Sequence, residues 1–185
     1  MYSRVQDYLS LLSFNFPKEL YWVLIILFCA GCVFFMIYHG FDKGVRYTIR
    51  LVLAEYLLFL YCSTVFCRAS MEEVHFNLVP FWGYTNYEGE LRHLYVIMGN
   101  VMNIVAFLPV GILLPLAFER IKFKDVLLCG LGISLSIEVL QYVLKRGFLE
   151  SDDLIHNTIG CIVGYGLFLV GKKIYEGISK RCVEV

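Results

Sequence analysis

The chain alternates between long apolar runs and short polar segments, and the runs have membrane-spanning length. The first, Leu20–Tyr38, is uncharged over about nineteen residues and carries Tyr21 and Trp22 where an interfacial aromatic belt would sit. The second covers about Tyr47–Cys67, with Arg50 close enough to its end to snorkel and Glu55 deeper. The third, Leu94–Phe118, contains Gly99, Pro109, Gly111 and Pro115. Proline removes a helix hydrogen bond and kinks the axis, so this run predicts a bent or broken helix. The fourth and fifth cover about Asp125–Leu144 and Asp153–Gly171. The pattern predicts an all-α integral membrane protein: a bundle of about five transmembrane helices with a kinked, proline-containing third helix. A four-span bundle with the first run as a peripheral anchor would produce a similar pattern.

The segments between the runs complete the layout. Residues 1–19 include YLSLLSFNF, too short to span and suited to lying at the interface. The run after Lys18 is too long for the core of a cleaved signal peptide and is read as a retained span. HGFDKGVR at 39–46 and ERIKFK at 119–124 read as short loops, and 172–185 as a basic C-terminal tail. The longest loop, 68–93, contains FNLVPFWGY, too apolar for a free loop. It is expected to pack onto the bundle or re-enter the interface, because non-helical backbone at that depth survives only under protein or along a cavity. One transmembrane domain, 20–171, therefore lies between an interfacial segment and a tail.

Composition agrees with this layout. Hydrophobic residues make up 59% of the chain and charged residues 17%, against roughly 25% charged in soluble domains. Sixteen basic and sixteen acidic residues cancel, and no basic stripe points to nucleic acid. Cys29, Cys32, Cys129 and Cys161 lie inside apolar runs, where cysteine behaves as a small apolar residue. Cys62 and Cys67 are five positions apart, unsuited to pairing within a helix, so no disulfide framework is expected. With five spans, six basic residues fall on the side of the N-terminus and nine on the side of the C-terminus. Cytoplasmic loops carry the lysine and arginine excess, which predicts an N-terminus outside and a C-terminus in the cytoplasm.

Polar residues interrupt three runs in a shared pattern. Ser134, Glu138 and Gln141 fall on one helix face, and Asp153, Asn157, Gly160 and Gly164 repeat the spacing on the fifth span. Asn100, Asn103, Phe107 and Gly111 share a face of the third. At 1.5 Å per residue, Glu138 lies about 10 Å from its span end, Asn157 about 6 Å, and Asn100 and Asn103 about 9 and 13 Å. All belong to the half of the bundle that carries the 68–93 and 145–152 loops. Each polar group alone is costly in lipid, but gathered they can satisfy one another. One reading is hydrogen-bonded glue between helices. The other is a ligand-facing or catalytic pocket, because Glu138 stands near Arg146, Glu150, Asp152 and Asp153, and ionisable groups are expensive glue. Arg146 and Lys145 suit a phosphate or carboxylate at headgroup level, while Glu138 and Asp153 are the candidates for acid/base chemistry. Glu55 is a further intramembrane acid. Gly160 and Gly164 form a GxxxG pair that allows close helix approach. Glu150, Asp152, Asp153, His75 and His156 fit no strong metal motif, no serine elbow, P-loop or HExxH is present, and no cofactor is expected.

These residues resemble those of the VanZ-like family of membrane proteins. The resemblance rests on NLVPF at Asn77–Phe81, NIVAFLPVGILLP at Asn103–Pro115, SIEVLQ at Ser136–Gln141, and then Arg146, Asp153, Asn157, Gly160 and Gly164. It covers about residues 68–170. The family pattern R-x-F-D-x-x-D is altered here, with Glu150 three positions before Asp153 and one extra residue after Arg146. The resemblance implies an association with lowered susceptibility to teicoplanin-type antibiotics and brings Asn77 into the candidate ligand set. Its implied partners are membrane lipids, a lipid-linked wall precursor or a lipoglycopeptide. A binding protein, an enzyme acting on such a lipid and a proton-coupled transporter are the competing functions. The absence of an internal repeat counts against the transporter.

Overall fold

The computed structural model describes residues 31, 41–73, 76–85 and 90–183. The expected interfacial segment 1–19 and, apart from Gly31, the expected span Leu20–Tyr38 lie outside them. Helix α1 (Phe41–Tyr61) continues into a π-helical segment, Cys62–Phe66. The short strand β1 (Phe76–Asn77) and the one-turn helix α2 (Trp82–Thr85) lead to α3 (Glu90–Ala117). Then follow α4 (Phe123–Val143), β2 (Leu149–Glu150) and α5 (Ser151–Val183). Four helices among the described residues are long and apolar enough to cross a membrane: Gly44–Phe66, His93–Ala117, Phe123–Val143 and Ser151–Lys180.

The third run is one continuous helix with both prolines inside it, so it is not broken there. Each proline leaves a carbonyl four residues earlier without its helical partner, and α5 packs closely over this stretch at Gly111. Several other expectations are corrected. Residues 41–46, expected in a loop, form the first turns of α1. Residues 172–183, expected in a tail, extend α5. No proline interrupts them, and Lys172 pairs with Glu176 one turn on at 3.9 Å. At 1.5 Å per residue α5 is about 50 Å long, well beyond the roughly 30 Å of a hydrocarbon core. The all-α expectation also missed a parallel bridge in which Phe76 pairs with Leu149 and Asn77 with Glu150.

α5 packs most extensively on α3 and next on α4, while α1 packs on α3. The α3–α5 contact is set by glycine. A β-carbon at Gly164 would overlap the Leu108 carbonyl, one at Gly160 would overlap the Ile104 carbonyl, and one at Gly111 would overlap the Cys161 carbonyl. Close backbone approach through small residues drives helix association where lipid offers no hydrophobic gain. Phe107, Val110, Leu114, Val126 and Cys161 are buried around this contact. Ser134, Glu138, Gln141 and Asn157 are buried too, whereas Leu128, Val143 and Leu167 are exposed. Polar inside and apolar outside is the arrangement a bilayer selects. At the far end from this cluster, Arg50 Nε donates to the orphan Ala117 carbonyl at 3.1 Å, and Arg46 pairs with Glu119.

Candidate functional site

The site is built at the ends of α1, α4 and α5. α4 stops in a Schellman turn: Lys145 takes a left-handed φ of 54°, its N–H bonds the Tyr142 carbonyl, and the Arg146 N–H bonds the Gln141 carbonyl at 2.7 Å. This reversal throws Arg146 back over the end of α1. There the last carbonyls have no helical partner. Arg146 Nη1 donates to the carbonyls of Phe66 and, at 2.7 Å, Arg68; Gln141 Nε2 donates to the Thr64 carbonyl at 2.9 Å. Two side chains of the α4 end thus cap the terminus of α1.

Around this junction lies a cavity of about 420 Å³, lined by polar Arg68, Gln141, Arg146, Glu150 and Asp153 with Met71 and Phe148. Two guanidinium groups and two carboxylates share its wall. Buried Glu138 stands behind it, with Oε2 accepting the Glu150 backbone N–H at 3.0 Å. Asn103 Nδ2 donates to Asp153 Oδ1 at 2.6 Å, tying α3 to α5. Burial pushes the Glu150 carboxyl above the ordinary carboxylate range; the charges of Asp153 and Asp152 add to this, and Arg68 opposes it.

A second polar network lies on the α2 side. His156 Nδ1 faces the Asp152 carbonyl at 2.6 Å. That oxygen can only accept, so in the neutral ring Nδ1 carries the proton and Nε2 accepts from the Tyr84 hydroxyl at 3.1 Å. Asn100 Nδ2 donates to the same hydroxyl at 2.7 Å. The Asp152 carboxylate accepts the Phe81 N–H. Deeper in the bundle, Asn157 Nδ2 donates to Ser134 Oγ at 2.9 Å.

The expected residues therefore divide. Gln141, Arg146, Glu150 and Asp153 meet at the cavity, with Glu138 and Asn103 directly behind it. Asn100 and Asp152 belong to the Tyr84–His156 network. Asn157 holds Ser134, and the Asn77 side chain folds back to the Val79 N–H at 3.2 Å. Glu55 sits eleven positions before Phe66, about 16 Å along the axis from the site. Its Oε1 has no hydrogen-bond partner among the described residues. Among those residues no three His, Cys, Asp or Glu side chains converge to hold a metal; His75 lies outside them. Cys62, Cys67, Cys129 and Cys161 are free thiols. Arg68 and Tyr84 were missed as site residues. Arg68 reads as an ordinary loop charge, and nothing in its neighbours signals that the α4 end folds over it. Tyr84 carried a weak signal, a hydroxyl within an over-apolar loop.

Comparison with known proteins places the chain. It is 30% identical over 97 residues to "Protein VanZ" of Enterococcus faecium, covering 52% of this chain and 54% of that one. The chain thus spans about half the length of this curated relative. No solved structure matches it. The sequence profile described as VanZ/LLP1 matches residues 21–172, most of the chain. On that match, this multi-pass membrane protein belongs to the VanZ/LLP1 family.

Proposed function

We propose that the protein contributes to tolerance of teicoplanin-type glycopeptides by holding the polar head of an amphiphile in the Arg68–Asp153 cavity. The occupant is a lipid-linked wall precursor or the antibiotic itself. The observation that carries this reading is the cavity's composition: Arg68, Arg146, Glu150 and Asp153 line one space of about 420 Å³. Guanidinium groups suit phosphate and carboxylate, and the carboxylates suit an amine on the same head. The VanZ relative supports the link to glycopeptides. In the proposed topology, residues 20–38 add a first span, the prolines bend α3, the cavity faces outward and the C-terminus is cytoplasmic, as the excess of basic residues on that side favours.

A second reading is an enzyme acting on the same lipid, with Asp153 or Glu138 as acid/base. It is favoured by the position of Asp153 on the cavity wall with Glu138 behind it. The deciding experiment compares Arg68→Ala and Asp153→Asn with wild type for teicoplanin susceptibility in a sensitive host and for teicoplanin retention by protein in nanodiscs. The binding reading expects both variants to lose tolerance and retention together. The enzyme reading expects Asp153→Asn to lose tolerance while retention persists. Full tolerance and retention in both variants overturns the cavity as the site. For topology, a cysteine at Ser151 should label from outside, and labelling from the cytoplasm alone reverses the orientation.

A further inference from the structure

The segment between β1 and α3 presents an unusual surface. Phe76, Leu78, Val79 and Phe81 are 52–68% exposed. In water such a run would be an aggregation hazard. Four of its backbone donors, however, are paired within the protein. The N–H of Val79 goes to Asn77 Oδ1, that of Phe81 to the Asp152 carboxylate, that of Trp82 to the Val79 carbonyl and that of Tyr84 to the Phe81 carbonyl. Pro80 has no N–H to satisfy. Paired donors beneath outward apolar side chains lower the cost of bringing this backbone to the edge of the hydrocarbon. Phe81 holds a positive φ of 61°, unfavourable for a bulky residue, so this turn is imposed by its surroundings.

The depth of the segment agrees. The Tyr84 hydroxyl contacts Asn100 and His156. These lie seven and five residues inside the spans that begin at His93 and Ser151, about 10 and 8 Å along the axes. α2 therefore packs against α3, and its tyrosine reaches in between the spans. Its apolar surface joins the exposed face of α3, where Leu94, Ile97 and Val101 point outward.

We propose that residues 76–82 form a wedge inserted among lipid acyl chains on the cavity side of the membrane. The wedge is anchored to the protein by Tyr84 and Asp152. It goes beyond the proposed function, because its partner is bulk lipid and its residues lie outside the cavity lining. The parallel bridge from Asn77 to Glu150 makes it also a brace for one cavity wall.

The test uses the two tryptophans of the full chain, Trp22 and Trp82. In Trp22→Phe protein reconstituted into phosphatidylglycerol–phosphatidylethanolamine vesicles, emission comes from Trp82. Including lipid brominated on its acyl chains should remove most of that emission, while acrylamide in the water should remove little. Adding Val79→Lys should lift the wedge and reverse this order, with helix content by circular dichroism unchanged. Strong acrylamide quenching in the Trp22→Phe protein overturns the proposal by placing the segment in water. Quenching by neither agent overturns it too, because protein then covers the segment. A Val79→Lys variant that still favours the brominated lipid overturns the role of this run as the inserted element.

Discussion

The buried Glu138 carboxylate accepts the backbone N–H of Glu150 at 3.0 Å, so a side chain of α4 fixes the strand that forms a cavity wall. Glu138 sits behind the cavity and shapes it through the backbone it holds. Glu138→Gln keeps an acceptor in place and should change stability by less than about 1 kcal/mol. Glu138→Ala leaves a part-buried N–H unpaired, which costs about 1–3 kcal/mol, and adds a void. Thermal unfolding in detergent micelles should separate the two variants. Equal losses would mean that the hydrogen bond does not position the strand.

The two arginines at the cavity should behave differently. Arg146 donates to the carbonyls of Phe66 and Arg68, and hydrogen bonds from a charged donor are worth about 1.5–3 kcal/mol. Arg146→Ala should therefore lower the unfolding temperature and loosen the end of α1. Arg68 is exposed and lends its backbone carbonyl, so Arg68→Ala should leave stability within about 0.5 kcal/mol of wild type. Guanidinium on the cavity wall would be lost in both. Matched unfolding curves would place Arg146 on the ligand side only.

Much of this arrangement was legible from helical spacing. Ser134, Glu138 and Gln141 recur on one face, and a polar stripe in lipid has to point at protein. The same logic placed Asn103 in the half of the bundle that holds the α5 acids, and its bond to Asp153 came from the structure. Contacts made by loops were hidden. The reach of Arg146 depends on a left-handed Lys145, and non-glycine residues adopt that conformation too rarely for sequence to announce it. The parallel bridge from Asn77 to Glu150 joins two loops more than seventy residues apart, with no alternating strand pattern in either. Helix ends were misplaced for a simpler reason. Apolarity marks the stretch that suits lipid, and α5 continues past it with no proline to stop the helix.

Glycine positions offer a matched comparison. A methyl at Gly164 meets the Leu108 carbonyl, whereas one at Gly166 meets nothing within 4 Å. Gly164→Ala should cost about 1–3 kcal/mol by forcing α3 and α5 apart. Gly166→Ala should be neutral or stabilising by up to about 1 kcal/mol through helix propensity. Disulfide trapping between cysteines placed on α3 and α5 would show the separation. Unchanged trapping and stability in Gly164→Ala would rule out a backbone contact there.

Lys145 holds a left-handed φ of 54° in the turn that returns Arg146 to α1. For an L-residue this conformation costs roughly 1–2 kcal/mol, and glycine avoids the cost while losing about 0.5–1 kcal/mol of backbone entropy. Lys145→Gly should therefore stabilise by up to about 1 kcal/mol. Lys145→Val should destabilise, because a β-branched side chain resists this region. Urea midpoints in micelles at constant slope would measure both. A destabilised glycine variant would show that the lysine side chain contributes more than its strained backbone costs.

Glu150 lies between the spans, and burial, with Asp153 and Asp152 nearby, raises its folded pKa above the ordinary 4.5. The sign follows from linkage. In the unfolded chain the carboxyl releases its proton at the ordinary pKa, while the folded protein holds the proton to higher pH. Its contribution to stability is therefore fully present below the unfolded pKa and is lost as pH rises through the folded one. Glu150→Gln, which stays neutral, should be more stable than wild type at neutral pH, and the difference should shrink to nothing under acid. Paired unfolding scans of the two proteins from pH 4 to pH 8, about the ordinary glutamate value to well above it, would show converging curves at the acid end. Parallel curves across that range would mean that the Glu150 carboxyl titrates alike in the folded and unfolded chain, with the charge of Arg68 offsetting burial.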